Sequence, residues 1–117
     1  MSVLKPSTRL SLVAVHDIGV TVAAAVAEPA RFHRVELELA SDHLPMTAIA
    51  ETLGRALGAP LTAPDMTEAE ALAAGMPAYA GLSMELMNLA GQPARPEFAR
   101  ELGIPLTSFE TWTRTGL

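Results

Sequence analysis

The chain has 117 residues, half of them apolar and 18% charged, with a net charge of −5 and no cysteine. That composition and length predict one globular domain with a modest core. The charge argues against nucleic acid and anionic membrane surfaces, because Lys5 is the one lysine and the arginines are scattered; the lack of cysteine excludes disulfides, thiolate metal sites and cysteine nucleophiles.

In chain order, residues 1–9 are polar and are expected to form a flexible N-terminal segment, with a single domain over 10–117. Residues 1–15 lack a long apolar run and a clear cleavage site, so no signal peptide is read and a cytoplasmic setting is expected. The longest apolar stretch, Ile18 to Ala27, is too short to span a bilayer. Leu10 to Val15 reads as a short valine-rich strand. Asp17 is a good N-cap for a helix over about 17–27, with Ile18, Val22, Ala25 and Val26 at helical spacing. Pro29 ends it.

Residues 33–40, HRVELELA, alternate strictly. Val35, Leu37 and Leu39 face one way and Arg34, Glu36 and Glu38 the other, the pattern of a strand with one wet face. Pro45 suits the start of a helix carrying Met46, Ile49, Ala50, Leu53 and Leu57, with Gly58 just past its end. An extended APLTAP segment follows at 59–64. Thr67 and Glu70 have capping-box spacing for a short helix ending near Gly75. Pro77 opens the next helix, where Tyr79, Leu82, Ser83, Leu86 and Leu89 share a face, and Gly91 closes it. Pro96 begins another, with Phe98 and Leu102 turned inward and Gly103 after it. Thr107 and Glu110 form a second capping box, and Phe109 and Trp112 lie three apart on one helix face. The expected class is α/β with an α+β character: about three short strands with five to six helices.

Two His-Asp pairs stand out. His16 and Asp17 read either as an acid/base pair working near neutral pH or as a strand end followed by a capping carboxylate. Asp42 and His43 read either as an acid/base pair at a sheet edge or as a solvated turn. Their spacing matches no metal motif, so no metal is expected. Met76, Tyr79, Met84, Met87 and Trp112 read either as the lining of an apolar pocket or as ordinary packing. Ser83 shares that face, but no G-x-S-x-G surrounds it.

Four stretches together resemble the C-terminal, substrate-side half of NmrA-like atypical short-chain dehydrogenases. They are LVAVHDIG at 12–19, PARFHRVELELASDHLPMTAIAETLGRALG at 29–58, Ala-Gly-Met-Pro at 74–77 and ELGIPLTSFETW at 101–112. Leu44 departs from the pattern, standing where the family often has a Ser or Thr cap before the proline. The family also begins with a Rossmann half whose glycine-rich turn holds a pyrophosphate. This chain has no G-x-G-x-x-G and no Tyr-x-x-x-Lys pair. The resemblance therefore implies a small-ligand-binding domain that is not itself an oxidoreductase and takes no cofactor. Met76, Tyr79, Ser83, Met87 and Trp112 would contact an apolar small molecule. The alternatives are a cofactor-independent isomerase, cyclase, dehydratase or hydrolase using His16, Asp17, Asp42 and His43, or a regulatory or structural partner. A homodimer or a complementing subunit is expected, since the face that meets the Rossmann half in the family would be apolar. Both a piece of a longer protein and a small free-standing protein fit these residues.

Overall fold

A computed structural model describes residues 2–116. The class is α/β, with a two-stranded sheet and six helices among the described residues. The elements are β1 (Arg9–Leu12), α1 (Val15–Ala27), β2 (Asp42–Pro45), α2 (Met46–Leu57), α3 (Glu68–Ala73), α4 (Ala80–Ala90), α5 (Pro96–Glu101) and α6 (Phe109–Thr115). β1 pairs antiparallel with β2, and the Ser41 amide donates to the Leu12 carbonyl just beyond one end. The chain divides into two compact units, Met1–Leu10 with Leu44–Gln92, and Ser11–His43 with Pro93–Leu117.

In the first unit, Val3, Ala71 and Met76 are buried together, with Met66, Ala80 and Met84 packed around them. Residues 3–8, read from the sequence as a flexible segment, are held by one side chain. Asn88 donates from Nδ2 to the Val3 carbonyl at 2.8 Å, and its Oδ1 accepts from the Lys5 amide at 3.0 Å and the Thr8 hydroxyl at 2.6 Å. The same segment caps α2. Pro45 is the N-cap and offers no side-chain acceptor, so the Met46 and Thr47 amides donate to the Thr8 and Pro6 carbonyls instead. These carbonyls do the work that a Ser or Thr in place of Leu44 would do. At the other end Gly58 takes the left-handed conformation (φ 67°), as its placement predicts.

Gly54, on α2, is buried because the chain folds back over it. A Cβ there would meet the Ala59 carbonyl oxygen at 2.8 Å. The Thr67–Glu70 capping box is present in both directions. Glu70 is held below the ordinary carboxylate range by the Thr67 amide first and the Thr67 hydroxyl second. α4 differs from expectation in what covers it. Its stripe is apolar as the spacing says, but Tyr79 is 85% exposed, Leu82 72% and Leu89 83%. The inner face is made instead of Gly81 and Met84, with Asn88 half-buried beside them.

In the second unit the buried residues are mostly small, Ala40, Ser41, Ala94, Pro96, Ala99 and Thr113, with Ile104 and Asp17 beside them. α1 begins at Val15, two residues before the expected start, so Asp17 sits in the first turn and is not the N-cap. Its apolar outer face, with Val15, Ile18, Val22 and Val26, is exposed. The expected strand over 33–40 does not form. Residues 31–34 turn, with Arg34 left-handed at φ 58°, and 35–40 run on without entering the sheet. The sheet therefore has two strands rather than about three, and β2 falls at 42–45, a stretch read as a turn and a helix start. Phe98 is exposed rather than inward, and Ala99 and Ile104 take the buried places near it. The second capping box is displaced by one residue. Ser108, not Thr107, accepts from the Thr111 amide, and Glu110 pairs with Arg114.

Candidate functional site

The second unit holds a cleft of about 150 Å³, lined by Leu12, Val13, Ala14, Ser41, Asp42, Thr107, Phe109 and Trp112. One side is aromatic. Phe109 and Trp112, three apart on α6, stack with centroids 5.8 Å apart and planes 13° from parallel. Leu12, Val13 and Ala14, between β1 and α1, supply aliphatic surface. Ser41, Asp42 and Thr107 supply the polar edge.

That edge is fixed by Asp17, which is 1% exposed. Its Oδ2 accepts from the Ser41 hydroxyl at 2.5 Å and from the Thr107 amide at 2.7 Å, while its Oδ1 accepts from the Thr107 hydroxyl at 2.8 Å. Ser41 in turn accepts from the Ala14 amide at 3.0 Å, so it caps the start of α1 from outside the helix. Burial pushes the Asp17 carboxyl up, but the bonds from Ser41 and then Thr107 outweigh it, with a smaller contribution from His16, and hold it below the ordinary range. Its place in the first turn of α1 also puts a negative charge at the positive end of the helix. A carboxylate so occupied and so acidic is a poor proton acceptor and a good structural clasp.

Asp42 is occupied in a similar way. Its Oδ2 accepts from the Phe109 amide at 3.0 Å, taking up an orphan donor at the start of α6, and its Oδ1 accepts from the His43 amide at 2.9 Å. His43 Nδ1 lies 3.3 Å from the Ser11 hydroxyl, whose proton goes to the Ala94 carbonyl. His16 is exposed on the first turn of α1. Asp17 and Asp42 thus both tie to the 107–109 segment, and neither histidine lines the cleft. Among the described residues, no group of three or more His, Asp or Glu side chains gathers closely enough to hold a metal.

Of the proposed ligand contacts, Trp112 lines the cleft and the other four lie in the first unit. There Met76 is buried in the core, Met87 is half-buried, and Tyr79 and Ser83 are exposed. A second concavity, about 440 Å³, lies in the first unit between the last turns of α2 and the 58–61 segment. Its charged groups are Glu51 and Arg55, an exposed ion pair at 3.1 Å, and none of the candidate residues lines it. Neither Ser41 nor Thr107 is among the site residues expected from the sequence. Thr107 has a visible signal, its helix-start spacing, but that spacing pointed to Glu110 and not to a carboxylate ninety positions away.

No family model matches the chain, and a comparison with curated proteins finds no relative.

Proposed function

We propose that this chain is a small-ligand-binding domain of the NmrA-like substrate-side type, without redox chemistry of its own. The observation that carries the reading is the cleft against Phe109 and Trp112, apolar on two sides and polar at one edge. Pockets for whole organic ligands run to about 300–1,000 Å³. A cleft of about 150 Å³ instead matches one ring, the size of cavity that takes benzene in an engineered protein. The ligand is therefore a single apolar ring or branched group, or a larger apolar molecule that inserts such an end. Acid–base catalysis by His16, Asp17, Asp42 and His43 has less support, because both carboxylates are committed to hydrogen bonds that hold the fold. A cytoplasmic setting belongs to the same reading; no helix among the described residues is long and apolar enough to cross a membrane.

Trp112 is the one tryptophan, so its emission reports the cleft directly. Titration with benzene, phenol and benzoate is expected to shift that emission in the millimolar range for the two neutral rings. Benzoate should be weaker, because Asp42 lies at the polar edge. Val13→Phe, which fills the cleft from one side, should abolish the response. Equal responses in the variant and the parent would sink the assignment, and so would tight binding of NADPH or NADH.

A second reading, association with a second copy or a complementing subunit, is favoured by the exposed apolar faces of α1 and α4. A monomeric sedimentation mass across micromolar concentrations would count against self-association.

A further inference from the structure

The segment Val35–Ala40 has the composition of a strand and no strand to pair with. Val35, Leu37 and Leu39 alternate with Glu36 and Glu38, and both glutamates are exposed while Leu37 and Leu39 are half-buried. Among the described residues, no backbone amide or carbonyl of Glu36–Ala40 has a hydrogen-bond partner; the ladder hydrogen bonds resume at Ser41. Ala40 is fully buried all the same. Backbone with unpartnered donors and acceptors, in a segment with strand-like alternation, is a template for an added strand. The alternation predicts a half-covered strand, and the segment follows directly on the turn at 31–34.

We propose that residues 35–39 receive an extended strand from a partner protein, one that alternates apolar residues with lysine or arginine. The charge of the wet face selects this occupant. Glu36 and Glu38 form no ion pair among the described residues. If a second copy paired antiparallel about Leu37, each Glu36 would stand opposite a Glu38, and like charges directly opposite are unfavourable. A basic residue at those two positions turns both clashes into attractions. The inference rests on this segment and not on the cleft, and so it stands or falls separately from the ligand reading.

The probes are two capped heptapeptides, TVKVKVT and TVEVEVT, added to the intact chain, with amide hydrogen exchange of residues 36–39 as the readout. TVKVKVT is expected to slow exchange at those amides and to bind about tenfold more tightly than TVEVEVT, the difference that two reversed cross-strand charge pairs produce. The surface variant Glu36→Lys with Glu38→Lys should invert the preference. Three results would overturn the proposal: amides 36–39 already protected in the free chain, protection that grows with protein concentration alone, or equal binding of the two peptides with no inversion in the variant.

Discussion

Asp17 shows how one side chain can be chemically conspicuous and still be architectural. Its three acceptor bonds leave the Ser41 hydroxyl and both Thr107 donors dependent on it. Removing it strands the buried Ser41 hydroxyl and the half-buried Thr107 donors, and an unsatisfied buried group costs about 1–3 kcal/mol. Asp17→Ala is therefore expected to lower stability by about 3 kcal/mol in urea titration, a drop in midpoint with little change in slope. The pH dependence follows from the depressed pKa. The folded carboxyl ionises below the unfolded one, so Asp17 contributes its full stabilisation above about pH 4, the ordinary aspartate range. That contribution is lost as pH falls through the lower folded value. The stability gap between parent and Asp17→Ala should hold steady from neutral pH down to about pH 5 and narrow below about pH 4. A gap that widened in acid would contradict the hydrogen-bond origin of the shift. His16, beside it in sequence, is exposed and free of this role.

At the level of elements, the local signals were read well and the long-range ones were not. Gly58, the Thr67–Glu70 box and Pro96 at the start of α5 act where their spacing places them, because each works through atoms a few residues away. The helix face of α4 was also correctly grouped, yet its environment was not, since periodicity reports that residues share a face and not what covers it. Likewise the 33–40 pattern is that of a strand, but pairing is decided by a neighbour that the segment itself does not encode. β2 was hidden because Asp42–Pro45 lacks any alternation and ends in proline. Of the cleft, Asp42 and Trp112 were legible as chemistry-bearing residues. Ser41 and Thr107 were not, because their importance comes from Asp17. The exposure of α4 has a direct consequence. Leu82→Gln and Leu86→Gln should each change the unfolding free energy by no more than about 0.5 kcal/mol, as surface substitutions do. A loss of about 2 kcal/mol or more in a monomeric sample would mean that this face is covered within the chain.

For the molecule as a whole, neither unit is continuous in the chain. Each is assembled from two stretches, and the second joins 11–43 to 93–117 with the whole of 44–92 between them. The Asp17–Thr107 clasp spans this gap, together with the Asp42–Phe109 and Ser11–Ala94 bonds. Closing so long a loop is entropically costly, with about 0.6 kcal/mol added for each doubling of its length, so helices and the 67–70 box form before it. The clasp is then expected to form late, after the barrier is crossed. Followed by Trp112 emission in stopped-flow urea jumps, Thr107→Ala should speed unfolding several-fold and leave the refolding arm nearly unchanged. A slowed refolding arm would place the clasp in the nucleus instead. On this account the buried aspartate bears on the lifetime of the cleft rather than the speed at which it forms: together with Asp42, it keeps hold of a segment made ninety positions after it.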